Sequence, residues 1–229
     1  MLYCYKREYD KALAEGERAM ALTPGDPLVY VQYGEILTSV GRPEEAIPVL
    51  QKAIRLNPFC PASYYNLFGG ALRMTGRFEE AVSAHKKALQ RSPDSIWAHS
   101  GLASTYFYAG RPAEAIPLLQ KAIQLSPSGP FFLYGLFGSA LRDTERFEEA
   151  VSAYKKAIQL APDDIIAHIG LAATYSYMGR ESEAQAEAIE VLRINPKFSL
   201  DSYAKTLPPF KDQSQRDKYL NALRKAGLK

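Results

Sequence analysis

At 229 residues and 47% apolar content, the chain carries enough hydrophobic material for a continuous core. Its net charge of +3 is gathered at one end, where residues 197–229 hold eight Lys/Arg against three Asp. The near-neutral remainder argues against a nucleic-acid stripe. Two unpaired cysteines argue against a disulfide scaffold and for a reducing, cytoplasmic setting. No apolar run approaches the roughly 18 residues of a membrane span, and no leader pattern precedes the first helix.

The dominant signal is internal repetition. Residues 61–93 and 130–162 agree at 22 of 33 positions, and residues 41–58 and 110–127 at 14 of 18. Prolines at 24, 58, 93, 127, 162 and 196 mark a unit of 34 or 35 residues, doubled into a super-unit of 69. A period of this size specifies stacked supersecondary units that bury their apolar faces only against neighbours.

In chain order, residues 1–24 read as a partial unit. Residues 9–22 form a helix whose partner is reduced to residues 2–6. Five complete units follow at 27–58, 62–93, 96–127, 131–162 and 165–196. In the first of these, Asp26 caps the first helix and Pro27 occupies its opening turn, where a missing N–H costs nothing. Gly41 supplies the left-handed residue that ends it. Pro43 opens the second helix. Pro48, and Pro117 two units later, sit inside second helices and predict a kink there. The later units repeat the design, except that Glu145 stands where the others have Gly41, Gly76, Gly110 and Gly179. A non-glycine residue in that conformation predicts the weakest turn of the array. Small residues (Gly34, Gly69, Ala103, Gly138, Ala172) predict close helix approach, with large residues filling the spaces between. Residues 199–207 and 212–226 predict two capping helices, with Leu200, Tyr203, Leu207, Tyr219, Leu220 and Leu223 covering the last unit.

The series Tyr65, Phe68, Gly69, Leu72, Ala81, His85, Ala88 and Pro93 resembles the tetratricopeptide repeat. The resemblance runs from Tyr9 to Pro196. It implies an all-α, right-handed superhelical solenoid of antiparallel helix pairs with C-terminal capping helices, and a protein-interaction role. The ending, through Asn195, Pro196, Phe198, Tyr219, Leu220 and Gly227, is similar to the repeat region of bacterial signalling proteins such as nucleotide cyclase fusions. That implies the interaction part of a longer signalling protein.

No nucleophile–base set, phosphate loop or metal spacing is legible, so no catalytic residue, cofactor or metal is expected. His85, His99 and His168 read as packing residues. The carboxylate pairs Glu44–Glu45, Glu79–Glu80 and Glu148–Glu149 sit in first turns, where they oppose the helix dipole. By the family's geometry the first helix of each pair lines a concave groove. The groove candidates for a peptide or partner protein are Asn66, Arg73, Trp97, Phe107, Tyr108, Phe132, Arg142 and Tyr177, a set rich in the aromatic and arginine side chains that concentrate binding energy. The competing expectation is a self-assembling scaffold without a dedicated ligand. At the front, Tyr3, Tyr5, Leu13 and Met20 predict weak homodimerisation through residues 2–22, an assembly that a longer native chain would remove.

Overall fold

The computed structural model describes residues 2–229, with side chains described from Glu8 onward. Among the described residues there are thirteen helices and no strand. The chain divides into two compact units, Met1–Gly101 and Leu102–Lys229. The first contains α1 (Leu2–Leu22), α2 (Pro27–Ser39), α3 (Pro43–Leu56), α4 (Ala62–Met74) and α5 (Phe78–Arg91). The boundary falls inside α6 (Ile96–Tyr108). The second contains α7 (Pro112–Leu125), α8 (Phe132–Asp143), α9 (Phe147–Leu160), α10 (Ile165–Tyr177), α11 (Glu181–Ile194), α12 (Leu200–Thr206) and α13 (Gln213–Lys225).

Within each unit, short turns fold successive helices back on one another as antiparallel pairs. The turns are copies of one motif. After α2, α4, α6, α8 and α10 the residues Gly41, Gly76, Gly110, Glu145 and Gly179 all have φ between 62° and 79°. The residue that follows each of them donates its N–H to a carbonyl five residues back, as from Arg42 to Leu37 (2.8 Å) and from Arg146 to Leu141 (2.9 Å). This closes the orphan carbonyls of the helix end. Glu145 adopts the left-handed conformation anticipated for its position.

The same arginine opens every second helix. Arg42, Arg77, Arg111, Arg146 and Arg180 each reach the glutamate three residues on, at 2.8 Å or less. Glu45, Glu80 and Glu149 are therefore ion-pair partners at a helix start, and the hydrogen bond from Arg holds each carboxyl below its usual range. Exposed pairs of this kind contribute little singly. Pro48 and Pro117 lie on exposed faces, and α3 and α7 continue through them.

The super-unit of 69 residues has a packing reason. In the first unit, a Cβ on Gly69 or Gly101 would stand 2.7 or 2.6 Å from the His85 ring, so that ring lies between two glycines. Sixty-nine residues on, Tyr154 takes the same place: a Cβ on Gly138 would come within 2.9 Å of its ring, and one on Gly170 closer still. A large buried side chain on the second helix thus fits between two first helices only where both lack a side chain. Gly34 gives way to Leu50 in the same manner, at 2.6 Å.

Histidines and tyrosines near the start of first helices also share a role. Tyr30 and Tyr134 donate to the carbonyls of Pro24 (3.1 Å) and Pro127 (2.8 Å). His99 Nε2 and His168 Nε2 do the same to Pro93 (2.8 Å) and Pro162 (3.1 Å). Each ties its helix to the preceding turn, which explains why either residue type serves there.

Two expectations are corrected. No shortened partner helix exists at residues 2–6, because α1 is continuous from Leu2 to Leu22. Arg7 and Glu8 are good helix formers, and nothing between them and Tyr9 breaks the helix. Leu13 and Met20 are not left uncovered either: both pack against the cluster of Tyr33, Leu37, Ile47 and Leu50. The side chains of Tyr3 and Tyr5 lie outside the described residues. Among the described side chains of α1, Leu22 is the large apolar residue most open to solvent, at 72%.

Candidate functional site

The second unit holds the densest set of predicted groove residues, and the chain itself covers three of them, Phe107, Tyr108 and Arg142. The segment after α11 turns back through Leu207, whose backbone is extended, and through Pro208 and Pro209 into α13. Proline cannot continue a helix here, so α12 ends and α13 starts afresh with Asp212 capping the Ser214 N–H at 2.9 Å. Helix α13 packs on α10. Its approach is fixed at three places.

At the first, Phe210 meets Phe107 and Tyr108 edge-on, with ring centroids 6.2 and 5.1 Å apart, and the Lys211 N–H donates to the Tyr108 carbonyl at 3.0 Å. At the second, Gln215 Nε2 donates to Asp143 Oδ2 at 2.5 Å. At the third, the guanidinium of Arg142 lies 4.4 Å from the ring centroid of Tyr219, a cation–π contact. Arg142 is 4% exposed. Its Nε donates to Asp143 Oδ1 (2.8 Å) and its Nη1 to the Tyr154 hydroxyl (3.3 Å), which also pairs with Ser139 at 2.8 Å. Burial acts most strongly on Arg142 and disfavours its charge, but the acidic groups around it, Asp143 first and then Tyr154, Tyr219 and Tyr177, together outweigh burial and hold the guanidinium well above its ordinary pKa. Burial likewise pushes Tyr203 up to about 12 and raises Tyr219 and Tyr154. All three phenols stay neutral hydrogen-bonding groups.

The predicted site residues therefore divide. Phe107, Tyr108 and Arg142 come together in the second unit, with Phe107 and Arg142 buried beneath the chain's own segment rather than open to solvent. Tyr177 stacks on Phe147 at 6.1 Å and stays 36% exposed. Phe132, also 36% exposed, opens α8. In the first unit Asn66 is committed to packing: its Oδ1 accepts from His85 Nδ1 at 3.1 Å. Arg73 is partly buried near the end of α4, and Trp97 is 55% exposed on α6. Arg73 and Arg142 stand 69 residues apart, at one position of the super-unit.

Sequence reasoning missed Phe210, Gln215 and Tyr219 as the occupants of the face that holds Arg142 and Asp143. The expected cover was for the last unit's apolar side. Helix α13 packs on α10 of that unit, with Leu200, Tyr219, Leu220, Leu223 and Leu228 buried, while Ile189 and Leu192 of α11 stay 63% and 41% exposed. A cavity of about 330 Å³ remains under the first two turns of α13, lined by Arg142, Asp143, Phe147, Tyr177, Gln215 and Lys218 among others.

Comparisons with known proteins agree on the fold. The family model described as tetratricopeptide repeat matches residues 26–94 and 60–128, and one described as TPR repeat matches residues 138–179, together more than half of the chain. Among proteins of known sequence, human protein O-mannosyl-transferase TMTC1 is 25% identical over 195 residues, which is 84% of this chain and 21% of that protein. The Drosophila melanogaster Tmtc3 protein is 32% identical over 65 residues, 28% of this chain and 7% of that one. The chain thus spans about a fifth or less of the length of these relatives.

Among solved structures, the thermophilic TPR protein TTC0263 of Thermus thermophilus superposes with a TM-score of 0.67 at 22% identity, covering 86% of this chain and 99% of its own. YrrB, a TPR protein with an unusual peptide-binding site, gives 0.58 at 23% identity, covering 84% and 98%. The APC/C hetero-tetramer Cut9–Hcn1 gives 0.77 at 16%, covering 98% and 40%. Among the described residues no helix is long and apolar enough to cross a membrane. With five copies of one turn, one arginine–glutamate pair and one glycine-lined packing rule, the chain belongs to the tetratricopeptide-repeat family.

Proposed function

We propose that the chain is a non-catalytic interaction module that holds a helical or extended segment of a partner protein on the faces of its first helices. The observation that carries this reading is the seat of α13, where first-helix residues Tyr108, Arg142 and Asp143 already grip a helix through Phe210, Gln215 and Tyr219. Helix-in-groove recognition reuses such contacts between molecules. The first unit repeats the arginine as Arg73 and adds the exposed Trp97, but has Met74 and Ser39 in place of Asp143 and Tyr108, so it offers a partner segment a less acidic surface. The peptide site of YrrB supports the reading by analogy of fold. The transferase relatives do not extend it to catalysis, because this chain corresponds to a small fraction of their length. The resemblance of the ending to signalling proteins and the sparse cysteines support a place within a larger signalling protein in the cytoplasm.

The test is selection from a random peptide library, followed by titration of the enriched peptides. Arg73→Ala and Trp97→Ala are expected to weaken them about tenfold each, whereas Lys86→Ala, on the exposed side of α5, leaves them unchanged. Failure to enrich any peptide, or equal binding by all three variants, overturns the reading.

A further inference from the structure

We infer that α13 is an intramolecular ligand of the second unit, and that the partner read there is a helix presenting an aromatic residue, a glutamine and a tyrosine in the spacing of Phe210, Gln215 and Tyr219. This rests on the reading of the chain as an interaction module and specifies what one face of it recognises.

The contacts that hold the first half of α13 are those of a recognition surface. They comprise one aromatic side chain on two aromatic rings, the Lys211 N–H on the Tyr108 carbonyl, one side-chain hydrogen bond to a carboxylate and one tyrosine ring on a guanidinium. The Tyr219 hydroxyl also pairs with that of Tyr203 at 3.2 Å. Gln215 and Tyr219 are four residues apart and so project from one side of the helix, while Phe210 precedes its cap. Each contact is chemically selective. Asp143 accepts one bond from Arg142 and one from Gln215, so an acidic residue in place of glutamine would set two carboxylates together. Buried Arg142 is covered by the electron-rich face of Tyr219, and an aliphatic side chain there would leave the cation without it.

The seat is also incompletely filled. The cavity of about 330 Å³ lies against the same two turns, which line it with Asp212, Ser214, Gln215 and Lys218, while Gln213 and Asp217 face solvent. The far end of the segment is held differently, by buried Leu220, Leu223 and Leu228 and by the Leu200 N–H bonded to the Lys229 carbonyl at 2.7 Å. The extended Leu207 and the two prolines after it break the helix between α12 and α13, a joint at which this half would leave its seat for a partner. A partner helix bound in its place must compete with a tethered segment, so its apparent affinity is reduced by the fraction of chains whose groove is open.

The experiment uses the full chain and a fluorescein-labelled peptide reproducing residues 208–229. A loosened chain, Phe210→Ala with Gln215→Ala, keeps every groove residue but weakens its own occupant. It is expected to bind the peptide at least tenfold more tightly than the unsubstituted chain does, a difference of about 1.4 kcal/mol. Adding Asp143→Ala to the loosened chain is expected to lose about tenfold, and so is a peptide whose glutamine and tyrosine are replaced by alanine. Thermal melting of each variant establishes that it is folded. Equal peptide affinity for the loosened and unsubstituted chains overturns the proposal, because α13 is then a permanent cap. Indifference to the peptide's glutamine and tyrosine overturns it as well. A loosened chain that dimerises by exchanging α13 instead of taking the peptide makes a second copy the occupant and also overturns it. These results concern Asp143 and α13 only, so they are separable from a failure of the library test at Arg73 and Trp97.

Discussion

Replacing Glu145 by glycine isolates the cost of one backbone conformation. Glu145 has φ 62° in the turn between α8 and α9, where four other turns carry glycine at 72–79°. A left-handed residue with a Cβ costs about 1–2 kcal/mol. Glycine removes that strain but adds roughly 0.5–1 kcal/mol of backbone freedom to the unfolded chain. The turn bonds from Glu145 N–H to the Arg142 carbonyl and from Arg146 N–H to the Leu141 carbonyl, both 2.9 Å, involve main chain alone and survive the change. Glu145→Gly should therefore stabilise by about 0.5–1 kcal/mol. In a chain of this size that corresponds to roughly 1–4 °C in melting temperature. Urea denaturation with an unchanged slope measures it. The reverse experiment is Gly179→Ala, where φ is 72° and a Cβ would meet nothing within 4 Å. With no clash, the loss there is the dihedral strain less the freedom that alanine removes from the unfolded chain, and about 0.5–1 kcal/mol is expected. A lower midpoint for Glu145→Gly, or an unaffected Gly179→Ala, refutes the reasoning.

Other outcomes follow from packing and titration. Gly170→Ala would drive a Cβ into the ring of Tyr154, which is blocked on its other side by Gly138, so a loss of about 2–3 kcal/mol is expected in the same denaturation assay. Burial depresses His85 to about 3, so the folded chain keeps it neutral while the unfolded chain protonates it near 6.5. Its contribution to stability is thus present above pH 6.5 and is lost progressively as pH falls from 6.5 toward about 3. His85→Leu should flatten the midpoint-against-pH curve in that window, and an unchanged slope counts against a neutral buried ring. His168 has the opposite sign, because its hydrogen bond to Glu187 at 2.6 Å raises its pKa. Stability from that pair is present below 6.5 and fades as pH rises through the elevated value, so His168→Gln should remove a loss seen on the alkaline side.

The sequence determined the array. Period, turn glycines, proline starts and the small–large alternation are local or repeat with a fixed offset, so residue spacing alone specified helix pairs, their order and the one irregular turn at Glu145. It also marked Phe107, Tyr108 and Arg142 as residues of one face, because repeat position determines which way a side chain points. Only the tertiary structure decided what lies on that face. The pairs Arg142–Tyr219, Asp143–Gln215 and Tyr108–Phe210 join residues 72 to 102 positions apart, outside any repeat. Residues 197–229 have no second copy in the chain, so no periodicity announced where they would dock. The same limit explains Asn66, which looked like a groove donor but is turned toward His85. A buried imidazole needs a partner, and spacing along one helix does not show which neighbour will supply it.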